Sequence, residues 1–122
     1  ITKLISFHNK HGKHATLTAV YPPGRFGALD ISNDQVLQFT EKPQGDEALI
    51  NGGFFVLTPK ALEYITDDNC IWEQEPLRKL AHDGNLMAYT HKGFWQPMDT
   101  LRDKVFLNDL WNANKAPWKV WS

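Results

Sequence analysis

Ile50-Asn-Gly-Gly-Phe-Phe-Val-Leu57 is a run of β-forming apolar residues broken by a glycine pair. It reads as a strand in which Gly52 and Gly53 mark either a bulge or the close approach of a ligand to the backbone. Downstream, residues 59–65 hold Pro59 near a first turn and predict a short helix. Residues 73–82 predict another, with Leu77, Leu80 and Ala81 inward and Gly84 ending it, and residues 86–91 return as a strand. Upstream, residues 28–31 and 36–41 pair as a hairpin across Ser32-Asn-Asp-Gln35, after a rigid Pro-Pro-Gly turn at 22–27. Thr16-Leu-Thr-Ala-Val-Tyr21 alternates polar and apolar, which predicts a strand. Ile1, Leu4, Ile5 and His8 fall at i, i+3, i+4 and i+7, a helix stopped by Gly12. A last helix covers 100–111, with Leu101, Val105, Leu107, Asn108 and Trp111 on one broad face. The tail 116–122 is aromatic enough to dock on something. Helices and strands interleave around one tight hairpin, so the fold class is α/β with a mixed sheet. With no linker in it, 1–122 is one domain or part of one.

Composition narrows the function. The chain has 122 residues, 42% of them hydrophobic, which suits a packed core. Thirteen basic side chains against fourteen acidic leave a net charge of −1, with no basic tract to grip nucleic acid. No apolar run is long enough for a membrane span and no signal peptide opens the chain. A lone cysteine, Cys70, fits a reducing cytoplasm, and without a partner histidine in a nucleophile motif it reads as an inert thiol. The chain starts inside a helical pattern at Ile1 with no capping residue, so it is expected to be a piece of a larger protein.

Several segments could carry chemistry, and each has a plain structural reading beside it. Glu41-Lys42-Pro43 ends a strand, where a lysine could neutralise phosphate and a glutamate accept sugar hydroxyls; it also suits a solvated strand end. Asn51 beside Gly52-Gly53 offers an amide that donates and accepts next to accessible backbone, or else merely flanks a bulge by a buried aromatic pair. Gly24-Arg-Phe-Gly27 lacks phosphate-loop spacing and reads as a turn, although the bare Gly27 peptide could lie against a sugar. Asp99 precedes the last helix and is either its N-cap or a Mg²⁺ ligand. His8, His11 and His14 suggest a metal, but Gly12 breaks the helix before His14; they read instead as histidines favoured by the helix C-terminal dipole. Glu73 and Glu75, in Trp72-Glu-Gln-Glu-Pro76, read as acids stabilising a helix N-terminus.

Taken in order, these segments resemble the sugar nucleotidyltransferases. E-K-P and N-G-G recur across that family, while Tyr21-Pro-Pro-Gly-Arg-Phe-Gly27, Trp72-Glu-Gln-Glu-Pro76 and Phe94-Trp-Gln-Pro-Met-Asp-Thr100 are similar to its glucose-1-phosphate cytidylyltransferase branch. The resemblance runs the whole chain and implies the C-terminal portion of a Rossmann-like mixed β-sheet flanked by helices. It implies formation of CDP-glucose and pyrophosphate from CTP and α-D-glucose 1-phosphate with Mg²⁺; the aromatic tail adds the expectation of contacts with other subunits, in a homo-oligomer. Matched residue by residue, Lys42 holds the sugar phosphate, Glu41 takes sugar hydroxyls, Gly27 and Asn51 belong to the sugar site, and Asp99 is one of two Mg²⁺ ligands. The family's glycine-rich nucleotide loop and second metal aspartate are nowhere in these residues, so base choice has no residue here. A uridylyl- or thymidylyltransferase of the same fold, and a non-catalytic sugar-phosphate-binding or assembly module, are the rival readings.

Overall fold

The computed structural model describes residues 1–23, 28–32, 34–40 and 49–122, with the side chains of 28–32 and 37–40 excepted. It falls into two compact units, Ile1–His91 and Lys92–Ser122. The first unit runs α1 (Thr2–His11), β1 (Ala15–Val20), β2 (Ala28–Ser32), β3 (Gln35–Thr40), β4 (Ile50–Leu57), a 3₁₀ turn (Pro59–Tyr64), α2 (Glu75–His82) and β5 (Leu86–His91). The second holds α3 (Leu101–Asn112) and the tail.

β1 is the spine of a mixed sheet, antiparallel to β4 and parallel to β5. The β2–β3 hairpin joins β4 through the pair Ala28↔Ile50 and β5 through Gln35↔Met87, which closes the order β1-β4-β2-β3-β5 into a ring. α1 packs on β1, β4 and β5, and α2 on β3 and β5. The predicted α/β class, with a mixed sheet flanked by helices, is therefore what forms.

Alternation along β1 predicted a strand, and all six of its residues are buried. Side chains of a strand point alternately to its two faces. Ala15, Leu17 and Ala19 join Leu77, Leu80, Leu86 and Val36 in the core cluster. Thr16 and Thr18 are polar and buried all the same; Thr16 is hydrogen-bonded to buried His8 of α1, while the Thr18 hydroxyl has no partner among the described residues. α1 ends at Gly12, which takes φ 69° and so closes the helix in a left-handed turn that glycine adopts without strain.

The glycine pair in β4 is indeed a bulge. Leu17 pairs with Phe55 and Ala19 with Asn51, so Thr18 alone stands opposite Gly52, Gly53 and Phe54. Gly53 supplies the φ of 89° that the extra residues require. Gly52 is small for another reason: a Cβ there would lie 2.9 Å from Val20 Cγ1 and 3.2 Å from the Thr18 carbonyl oxygen. The aromatic pair beside the bulge is not buried as expected, since Phe54 is 56% exposed and only Phe55 turns toward the core.

In the second unit the tail docks on α3. Trp118 stacks on Trp111 at 6.5 Å and 13° and tilts against Phe94 at 5.9 Å, while Lys119 Nζ lies 5.7 Å from the Trp111 ring centre. α3 itself departs from expectation: no residue of it is buried, and Leu101 is 75% exposed. Its apolar residues fall at 101, 105, 106, 107, 110 and 111, which wraps them around the helix instead of drawing one stripe. α2 buries Leu77, Leu80 and Ala81 as predicted and is the helix with the clean inward face.

Candidate functional site

Of the residues singled out, Gly27, Glu41 and Lys42 lie outside the described residues. Asn51 belongs to the first unit and Asp99 to the second.

Asn51 is half-buried and sits where β4 enters its bulge, opposite Ala19. The Gly53 N–H, freed from the ladder there, donates to Asn51 Oδ1 at 2.8 Å, an asparagine side chain bonding the backbone two residues on. Asn51 Nδ2 donates to Glu73 Oε2 at 3.1 Å. Glu73 was expected to support a helix N-terminus. Instead it precedes α2, in the turn at 72–74, and reaches across to β4. Glu75 alone occupies the first turn of α2, where it pairs with Lys79 at 2.9 Å. That turn is anchored by Trp72, which packs edge-on against Phe55 at 5.8 Å and 84°. The W-E-Q-E-P motif was visible in sequence; that its first glutamate pairs with an asparagine 22 positions away was not.

At the start of α3 the capping role falls to Thr100, not Asp99. Thr100 Oγ1 accepts the Asp103 N–H at 3.1 Å, and Asp103 Oδ2 accepts the N–H groups of Thr100 at 3.2 Å and Asp99 at 3.1 Å. Gln96 Nε2 adds a bond to Asp103 Oδ1 at 3.1 Å. These donors, the Asp99 amide first among them, hold the Asp103 carboxyl below the usual carboxylate range. The reciprocal pattern is a capping box with aspartate in the acidic position, legible in Thr100-Leu-Arg-Asp103. Because Asp103 fills that role, the exposed Asp99 side chain is not committed to the cap.

His8 and His11 bond to Thr16 of β1. His11 Nδ1 accepts the Lys13 N–H at 2.8 Å, so the proton of the neutral ring sits on Nε2 and is donated to Thr16 Oγ1. The Thr16 hydroxyl in turn donates to His8 Nδ1 at 2.7 Å. Burial lowers the pKa of both rings, and for His11 the neighbouring His8 and Lys13 lower it further. Two neutral rings gain little from a helix dipole, so for His8 and His11 the dipole reading gives way to a hydrogen-bond chain through Thr16, buried at its His8 end. Among the described residues no three His, Cys, Asp or Glu side chains gather as a metal cluster. Among them, too, no helix is long and apolar enough to cross a membrane.

The sequence model of the family described as Nucleotidyl transferase matches residues 1–115. Glucose-1-phosphate cytidylyltransferase of Salmonella typhi is 64% identical over 121 residues, covering 99% of this chain and 47% of that protein. The probable glucose-1-phosphate cytidylyltransferase of Bacillus subtilis (strain 168) is 43% identical, covering 97% of this chain and 46% of its own. The chain thus spans about half the length of the curated relatives it matches. Among solved structures, HddC from Yersinia pseudotuberculosis superposes with a TM-score of 0.72 at 20% identity, over 91% of this chain and 50% of that one, a likeness of fold.

Proposed function

The chain belongs to the nucleotidyl transferase family, and from that premise we propose that it forms the sugar-phosphate half of a glucose-1-phosphate cytidylyltransferase. What carries the reading is the likeness to the cytidylyltransferases, which runs through nearly every residue of the chain. The nucleotide-gripping half then comes from sequence outside these 122 residues.

In the reaction a phosphate oxygen of α-D-glucose 1-phosphate attacks the α-phosphorus of CTP. A new P–O bond forms as the bond from that phosphorus to the bridging oxygen breaks, and pyrophosphate leaves. Two polyanions must meet, so the protein's work is neutralising charge and aligning the reactants. Lys42 holds the sugar phosphate, Glu41 accepts sugar hydroxyls and Gly27 belongs to the sugar site. Asn51 adds an amide to the sugar site; its orientation is already set by Gly53 and Glu73. Asp99 suits Mg²⁺, because its carboxylate is exposed and the helix cap does not use it. Such an ion takes one or two carboxylates along with water and substrate phosphates, and when bound it neutralises charge on the triphosphate. The exposed apolar residues of α3 fit an assembly of several copies, and half-buried Cys70 fits a cytoplasmic setting.

The test is pyrophosphate release by the full-length protein with each nucleoside triphosphate and several sugar 1-phosphates. CTP with glucose 1-phosphate should be the preferred pair. Preference for UTP or dTTP would move the assignment to the uridylyl or thymidylyl branch, and no release with any pair would favour the non-catalytic module.

A further inference from the structure

We propose that Glu73 is a positioning residue for sugar-phosphate recognition, acting through Asn51; the inference rests on the sugar-site role of Asn51 given above. A primary amide has two nearly isosteric ends and can lie either way round, so its use in recognition depends on what fixes the flip. Here two groups of opposite character do so. The Gly53 N–H can only donate and sits 2.8 Å from Asn51 Oδ1. The Glu73 carboxylate, when ionised, can only accept and sits 3.1 Å from Asn51 Nδ2. Reversing the amide would set oxygen against carboxylate and NH₂ against N–H, losing both bonds at once. In the observed orientation the second Nδ2–H and the second lone pair of Oδ1 have no further partner among the described residues, which suits them to a ligand hydroxyl or phosphate oxygen.

Both fixing groups are themselves held. Gly53 lies in the bulge, where its positive φ turns its N–H toward Asn51. Glu73 is carried by a turn closed by the Gln74 N–H on the Ile71 carbonyl at 3.0 Å. The Leu77 N–H reaches the Trp72 carbonyl at 3.4 Å, and the Trp72 ring meets Phe55 on the same strand as Asn51. The aromatic pair therefore ties the turn bearing Glu73 to the strand bearing Asn51. The consequence is a sugar-site amide delivered in one orientation before the substrate arrives.

The experiment is steady-state pyrophosphate release and thermal unfolding of the full-length protein with Asn51→Ala, Glu73→Ala, Glu73→Gln and the double alanine variant. Glu73→Ala should raise KM for glucose 1-phosphate about three- to tenfold, with kcat and KM for CTP little changed. Glu73→Gln should return KM to within about twofold of wild type, since its carbonyl oxygen accepts the same Nδ2–H. Asn51→Ala should lose about tenfold or more, and adding Glu73→Ala to it should lose no more. Multiplicative losses in the double variant would overturn the proposal, because Glu73 would then act independently of Asn51. Normal kinetics for Glu73→Ala alongside a damaged Asn51→Ala would overturn it while leaving the sugar site in place. Normal kinetics for Asn51→Ala would overturn it together with the assignment it rests on.

Discussion

Replacing Thr16 by valine keeps nearly the same shape and removes one hydroxyl, which is the junction between two imidazoles. In the parent that hydroxyl meets His8 Nδ1 at 2.7 Å and also bonds His11 Nε2, while His11 Nδ1 is occupied by the Lys13 N–H. Without it two ring nitrogens lose their partner. His8 is 4% exposed, so water cannot substitute, and a buried polar atom left unpaired costs about 1–3 kcal/mol. His11 is half-buried and can recover part of its loss through water. The sum expected is about 2–3 kcal/mol. Urea unfolding of the purified chain at pH 7.5 should show it as a midpoint lowered by about 1 M at unchanged slope. The same chain predicts a pH dependence for the parent. Both histidines have folded pKa values below the free value of 6.5, so protons bind the unfolded chain first. Their stabilising contribution is complete above about pH 6.5 and is lost as the pH falls below it through the folded values. A valine variant as stable as its parent, or a parent whose stability is flat from about pH 7.5 to about pH 5.5, would refute the network.

The two bulge glycines should fail differently. Gly52→Ala drives a Cβ to 2.9 Å from Val20 Cγ1 and 3.2 Å from a fixed backbone oxygen, for a loss of about 1–3 kcal/mol. Gly53→Ala meets no atom within 4 Å and suffers only its positive φ, about 1–2 kcal/mol, partly offset by a stiffer unfolded chain; losses in the reverse order by thermal unfolding would contradict this packing. Asp99→Asn should leave the melting temperature unchanged, because Thr100 and Asp103 make the cap, yet raise the Mg²⁺ concentration needed for half-maximal turnover in the full-length protein. Thr100→Ala should instead lower stability by about 1 kcal/mol, and a loss of that size from Asp99→Ala with none from Thr100→Ala would return the cap to Asp99. Lys42→Ala should weaken use of glucose 1-phosphate about ten- to a hundredfold while sparing CTP binding; unchanged sugar-phosphate kinetics would remove Lys42 from the site.

Local chemistry by itself determined most of the element plan. Gly12 stops α1, Gly84 follows α2, and residues 86–91 form β5 as read, because turn residues and periodicity act over a few positions. The cap in Thr100-Leu-Arg-Asp103 is equally local, since its two side chains lie three positions apart. Other features depend on partners distant in sequence, and only the tertiary structure could decide them. The alternation of β1 predicts a strand but not that its threonines are buried, nor that His8 of α1 bonds Thr16. The glycine pair could serve a bulge or a ligand until the register with β1 showed Thr18 facing three residues. Glu73 looked like one of two helix-starting acids until the Trp72–Phe55 contact brought its turn beside Asn51. The spacing of α3 sufficed to write a helix, but its apolar residues wrap around it and nothing in the sequence says what covers them, so its exposure was not known. Capping and turn formation are short-range energies fixed by neighbours along the chain, whereas burial and side-chain pairing are set by which surfaces meet, a property no window of sequence contains.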